Sequence, residues 1–290
     1  MNRLEALQWL KKEFLAIGIE DAEQEARYAL SFVLQAAVSD LYVFGALLME
    51  EALCRRLEQI AARRSKGEPL AYILGERDFM GMPMKVNASV LIPRQETELL
   101  CEKAIALIRE KGFSRVLDLC TGSGCIAVSL GKFTGANVTA SDISDAALAV
   151  AKKNAAQNGA EVNFVQSDLF LNIFGEFDLI VSNPPYISEQ EYASLPAGIR
   201  AFEPALALKG GEDGLAFYRR IVRAAPAHLR PGGVLMLEIG EGQADAVHGL
   251  LKGAGFDKIA VWKDYAGLHR IVAAEKETAE GGVCLKNLIK

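Results

Sequence analysis

The sequence predicts an α/β protein: a mostly parallel sheet covered by helices on both faces, preceded by a small helical bundle. Three observations carry this. From about residue 95 onward, short apolar segments rich in Val, Ile, Leu and Phe alternate with helix-patterned segments, the pattern of a parallel sheet with crossover helices. The first 75 residues show helical periodicity and no strand signal. A glycine-rich loop links the first strand to a helix.

In residues 1–75, Leu4, Leu7, Leu10, Phe14 and Ile17 recur at three- and four-residue steps and make one apolar face. Asp21 stands where it can cap a second helix through Ala26, Leu30, Val33 and Leu34. Leu53, Leu57 and Ile60 mark a third. Arg55, Arg56, Arg63, Arg64 and Lys66 gather at one end of it, as a solvated face or as a surface for an acidic partner. Residues 76–94 set Gly81, Pro83, Asn87 and Pro93 among apolar runs at 84–86 and 90–92, which predicts a β-hairpin linker. Residues 95–275 form the α/β domain. Its strands are expected at 115–119, 137–141, 162–166, 177–182 and 233–239, with two more at 258–262 and 270–274. Helices are expected at 146–158 and 214–229, and 276–290 reads as a polar tail.

Composition excludes several classes. Hydrophobic residues at 51% and charged residues at 24% describe a globular chain. The net charge is -5, and the first 80 residues hold ten Lys/Arg against thirteen acids. That argues against a nucleic-acid module, which is usually basic. No apolar run reaches the roughly 18–20 residues of a membrane helix. The charged start MNRLEALQWLKKEF is no secretory signal. Five scattered cysteines, no CxxC and three distant histidines argue against a structural metal. Free thiols in a reducing cytoplasm are the simplest reading.

The first strand runs into Cys120-Thr121-Gly122-Ser123-Gly124. Glycines at a strand-to-helix turn let a ligand approach the backbone, and the helix N-terminus offers free N–H groups. Asp142, twenty residues after Gly122, ends the second strand, where a carboxylate can accept both ribose hydroxyls of a nucleoside. These features alone do not separate a nicotinamide dinucleotide from S-adenosyl-L-methionine, because 122–127 also fits GxGxxA. Two acids favour the latter. Asp118, just before the loop, can face an ammonium and sulfonium but would repel a pyrophosphate. Asp168 falls at the end of the third strand, where it can accept from an adenine amino group.

The fourth strand ends in Asn183-Pro184-Pro185-Tyr186. An amide or aromatic amine is a poor nucleophile because its nitrogen lone pair is delocalised. The Asn183 side-chain carbonyl and the Pro184 main-chain carbonyl can accept both hydrogens of an NH2 group, so that the lone pair turns toward a methyl. Two prolines stiffen the loop, and Tyr186 offers a flat face. An exocyclic base NH2 would satisfy the same acceptors, so a nucleic-acid amino-methyltransferase acting on DNA adenine N6 or an rRNA guanine is the alternative.

These residues bring a family into view. The chain resembles the release factor N5-glutamine methyltransferases of the HemK/PrmC type over nearly its whole length. The resemblance is carried by GEPLAYILG at 67–75, LIPRQETE at 91–98, CTGSG at 120–124, NPPY at 183–186, FEPALAL at 202–208 and GEDG at 211–214. It implies a Rossmann-like, seven-stranded S-adenosylmethionine-dependent methyltransferase domain, with S-adenosyl-L-homocysteine as coproduct. It implies class I peptide chain release factors as substrate and their Gly-Gly-Gln glutamine as acceptor, bound by Asn183, Pro184, Pro185 and Tyr186. Cofactor contacts would come from Cys120–Gly124, Asp142, Asp168, Leu169 and Asn183, and the helical region would meet the release factor. Cys120 stands where the family usually has Gly, Gln95 where it has Pro, and Leu169 where some members carry an aromatic. Arg94 and Glu98 either fix the hairpin against the pocket or form a structural ion pair.

Overall fold

A computed structural model of the chain describes residues 1–277. The expected tail lies outside them from residue 278; Lys276 still belongs to the last strand. The chain divides into two compact units, Met1–Glu76 with Pro196–Phe202, and Arg77–Leu195 with the residues from Glu203 onward.

In the first unit the helices Arg3–Ala16, Ala22–Leu34 and Glu51–Arg64 bury Leu7, Leu10, Phe14, Leu30, Leu57 and Ile60 in one core. Asn2 and Glu5 form a reciprocal capping box at the first helix. Leu4 and Ile17, expected on the apolar face, are exposed, and Ala6 is buried instead. Asp21 takes the N-cap position of the second helix without a side-chain cap bond. The arginines of the third helix are engaged locally: Arg55 with Glu51, Arg63 with Glu68, Arg64 with Glu25, and Arg56 over the Phe32 ring.

The hairpin pairs β1 (Glu76–Phe79) with β2 (Met82–Lys85). Met80 and Gly81 both have positive φ, as a two-residue type I′ turn requires. The Glu98 carboxylate accepts from the Met80 N–H at 2.7 Å, so Glu98 pins the turn and does not pair with Arg94. The run at 90–92 is loop, leading into the helix Gln95–Lys111.

The remaining strands are β3 (Arg115–Leu119), β4 (Asn137–Asp142), β5 (Val162–Gln166), β6 (Phe177–Ser182), β7 (Leu229–Glu238), β8 (Phe256–Lys263) and β9 (His269–Lys276). They form one seven-stranded sheet in the order β5-β4-β3-β6-β7-β9-β8. The first five in that order run parallel, and β9 is antiparallel to β7 and β8. Helices Gln95–Lys111, Cys125–Thr134 and Asp145–Asn158 supply the core on one face. Ala216–Ala224 and Ala244–Gly253 supply it on the other. The helix expected over 214–229 ends at Ala224, because Pro226 has no N–H to continue it; a 3-10 turn, Ala225–Ala227, follows. β7 accordingly starts four residues earlier than expected. From β3 the order runs outward through β4 and β5 on one side and β6 and β7 on the other. Such a switch opens a crevice at the carboxyl ends of the strands.

Candidate active site

A cavity of about 340 Å³ lies at that crevice. Its wall includes Cys120 to Ser123 after β3, Asp142 at the end of β4, Asp168 and Leu169 after β5, and Asn183 and Pro185 after β6. Asp118, Gly124, Pro184 and Tyr186 are not on it.

The loop is shaped from behind. Asp118 is fully buried. Its Oδ2 accepts from the Thr121 hydroxyl at 2.6 Å and from the Ala127 N–H at 3.2 Å; its Oδ1 has no partner. Off the wall, it holds the loop and first helical turn from behind. Burial pushes its pKa up to about 7, with Asp142 adding and the two hydrogen bonds opposing. Gly124 caps the Cys125–Thr134 helix at φ +80, and a Cβ there would sit 2.9 Å from the Ala151 Cβ. Cys120 holds a left-handed φ of 59, a conformation a side chain tolerates at some cost. Burial raises its thiol pKa, and Asp142 raises it further.

Asp142 spreads its carboxylate between two backbone donors: Oδ2 takes the Gly122 N–H and Oδ1 the Ser144 N–H, each at 2.9 Å. Each carboxylate oxygen can accept twice, so capacity for a vicinal diol remains. Burial raises its pKa while these bonds oppose. Asp168 lies two residues past the end of β5 and binds Arg220 through Oδ2 at 2.8 Å. Leu169, also at positive φ, and Phe217 give the same part of the wall an apolar surface. A glycine loop, a helix N-terminus, a diol acceptor and an apolar slot with an acid beside it together fit an adenosine-bearing group.

Asn183 stands half-buried on the wall. Its Nδ2 donates to Thr97 Oγ1 at 3.1 Å, and the Thr97 hydroxyl donates to Glu238 Oε2 at 2.7 Å. Both partners are buried. Burial pushes the Glu238 pKa up to about 7; Glu96 adds to this, and Thr97, Arg270 and Asn183 oppose it. Sequence reasoning missed both residues, although Glu238 carries the same signal as Asp142, an acid closing a buried strand. Tyr186 is clamped through its backbone, and its side chain is half-buried. Gln243 donates to its carbonyl at 2.9 Å, and a Cβ on Gly214 would lie 2.4 Å from that oxygen. Burial raises its phenol pKa, with Glu238 adding. Arg94, on the wall, pairs with buried Glu203 at 2.5 Å, and Glu203 also accepts from the Ile92 N–H at 3.3 Å. Among the described residues no cluster of His, Cys, Asp and Glu could hold a metal ion, and no helix is long and apolar enough to cross a membrane.

A family model described as the methyltransferase small domain matches residues 96–207, and one described as the PrmC N-terminal domain matches residues 5–75. The chain is 44% identical over 271 residues to the release factor glutamine methyltransferase of Geobacter sulfurreducens, covering 92% of this chain and 94% of that protein. It is 42% identical over 282 residues to the protein of the same name from Cereibacter sphaeroides, covering 96% of this chain and all of the relative. The solved hMettl16 catalytic domain in complex with MAT2A 3'UTR hairpin 1 matches with a TM-score of 0.57 at 18% identity, over 88% of this chain and 92% of that one, a likeness of fold alone. With identity at this level sustained over almost the whole chain, the protein belongs to the release factor glutamine methyltransferase family.

Proposed function

We propose that this chain transfers a methyl group from S-adenosyl-L-methionine to the side-chain amide nitrogen (N5) of the glutamine in the Gly-Gly-Gln motif of class I peptide chain release factors. The observation that carries the reading is the carboxamide of Asn183: it lies on the cavity wall at the end of β6 with its nitrogen tied back to Thr97. Its oxygen is then the group left to accept from an incoming amide.

Bound in the cavity, the cofactor supplies an electrophilic methyl on a sulfonium. We assign its ribose to Asp142, its adenine to Asp168 and Leu169, and its remaining contacts to the loop 120–124 and Asn183. The task of the chain is positioning. Asn183 Oδ1 and the Pro184 carbonyl hold the two hydrogens of the glutamine NH2, so the nitrogen lone pair turns out of conjugation and faces the methyl. Alignment of this kind is worth several orders of magnitude, and fixed acceptors stabilise positive charge growing on the nitrogen. No strong base is needed on the wall, since the alkylated nitrogen becomes acidic and sheds its proton afterward. Pro185 stiffens the loop, and Tyr186 anchors it from behind. We assign the contact with the release factor to the helical unit, and the reaction to the cytoplasm. Family membership supports this over the nucleic-acid alternative.

The test is mass spectrometry of the release-factor peptide after incubation with protein and cofactor. One added methyl on the glutamine is expected. Asn183→Ala should abolish transfer while cofactor still binds. Near-parental turnover by that variant, or transfer to DNA or rRNA and not to the release factor, would refute the assignment.

A further inference from the structure

We propose that Thr97 and Glu238 are positioning residues that lock the Asn183 carboxamide with its oxygen toward the methyl acceptor, and that protonation of Glu238 releases the lock. The proposal rests on the function above, in which that oxygen receives the glutamine amide.

The argument is one of proton counting. Glu238 Oε2, Thr97 Oγ1 and Asn183 Nδ2 are linked by separations of 2.7 and 3.1 Å, and the Asn183 NH2 also lies close enough to Glu238 to favour its ionised form. A threonine hydroxyl has one proton, and an ionised carboxylate only accepts. While Glu238 is ionised, the Thr97 proton is committed to it. Thr97 Oγ1 then offers Asn183 lone pairs alone, and only the NH2 edge of the carboxamide can meet them. Nitrogen faces in and oxygen faces the cavity. Protonation of Glu238 at Oε2, the oxygen that meets Thr97, reverses the chain. Its O–H donates to Thr97, the threonine proton turns to Asn183, and the carboxamide is satisfied only when rotated by half a turn. Its NH2 would then meet the NH2 of the glutamine, donor against donor, and the lone pair could not be held. Glu238 is 1% exposed and lies off the cavity wall, so water cannot substitute for it, while Thr97 is 2% exposed and reaches the wall itself.

The groups around Glu238 place this exchange in a measurable range. Glu96 and Cys101 face it from the helix Gln95–Lys111, Cys125 from the next helix, Tyr186 from the loop after β6, Tyr218 from Ala216–Ala224 and Arg270 from β9. Arg270 alone among these is cationic, so the surroundings do not hold the carboxyl firmly ionised.

The experiment compares the full chain with Thr97→Val, Thr97→Ser and Glu238→Gln, using a class I release factor and labelled S-adenosylmethionine across neutral and mildly acid pH. Thr97→Val, nearly isosteric, should lower kcat by roughly 10- to 100-fold. KM for the release factor and the cofactor Kd should stay within about threefold. Thr97→Ser should recover most of kcat. Parental kcat should fall on the acid side, and Glu238→Gln, which keeps an oxygen acceptor but does not titrate, should lack that limb. Parental kcat in Thr97→Val, failure of serine to rescue, or an unchanged acid limb in Glu238→Gln would each overturn the lock. A parental protein that methylates no release factor would overturn the function and the lock together; an active parent with an indifferent Thr97→Val overturns the lock alone.

Discussion

Replacing Asp118 with Asn should stabilise the ligand-free protein at mildly alkaline pH and flatten its stability profile. Asp118 is fully buried, satisfied at Oδ2 and unpaired at Oδ1. Burial lifts its pKa from 3.8 to about 7. In the unfolded chain the carboxyl ionises near its ordinary value, so folding opposes ionisation. The penalty is absent below the ordinary value of 3.8 and complete above about 7. At about 1.4 kcal/mol per pH unit it comes to somewhat over 4 kcal/mol as an upper bound, or about 2 kcal/mol after dielectric relaxation in the interior. Asn keeps the shape and an acceptor for Thr121 and Ala127, and it cannot ionise. The unpaired oxygen becomes an unpaired NH2, whose burial offsets part of the gain. A gain of about 2 kcal/mol raises Tm by roughly 4–8 °C. Calorimetry of both proteins on the acid and alkaline sides of neutrality reads this directly. The parent should lose Tm as pH rises, and the variant should lose less; Asp142 and Glu238, also raised, keep some slope. A variant that melts below the parent on the alkaline side, or with an identical slope, would refute the account of Asp118 as a carboxyl whose ionisation the fold penalises.

Two further substitutions test the loop and the acid opposite it. Gly124→Ala combines a φ of +80 with a Cβ 2.9 Å from Ala151. It should cost about 1–3 kcal/mol in urea denaturation; an unchanged midpoint would mean that Asp145–Asn158 yields freely. Asp142→Ala removes a carboxylate that holds the Gly122 and Ser144 N–H groups on the wall. By calorimetric titration it should weaken S-adenosylmethionine binding by about 10- to 100-fold, and an unaltered Kd would remove Asp142 from the cofactor site.

Much of this was legible because periodicity reports burial. The alternating apolar segments gave the seven strands, and the acids and Asn at strand ends pointed to one crevice. Boundaries failed where a local rule overrode pattern. Pro226 ended a helix whose apolar spacing ran on to Leu229, and the run at 90–92 is apolar because it lines a cavity and packs below it, not because it pairs as a strand. The attachment of Pro196–Phe202 to the helical unit was invisible, since contact over such a separation leaves no periodic trace. There a Cβ on Gly198 would meet the Gly67 carbonyl oxygen at 2.9 Å. Side-chain direction was the other blind spot. A strand-end acid can point into the crevice or under it, and spacing does not tell which.

Three buried acids lie under the wall. Asp118 acts on the loop through Thr121 and Ala127, Glu238 reaches Asn183 through Thr97, and Glu203 holds Arg94 and the Ile92 N–H. Each works on a group that meets the cavity without meeting it. This division follows from the chemistry. A carboxylate on the wall beside the glutamine NH2 would be solvated until substrate arrived and would have to reorganise during the reaction. A neutral carboxamide or carbonyl, fixed in place by a buried acid, is already oriented. The cost is a set of carboxyls whose ionisation the fold resists, and that resistance is what the Asp118 and Glu238 variants measure. If both proteins kept parental pH profiles in stability and turnover, the buried acids would be inert packing, and the orientation of the Asn183 oxygen would need another cause.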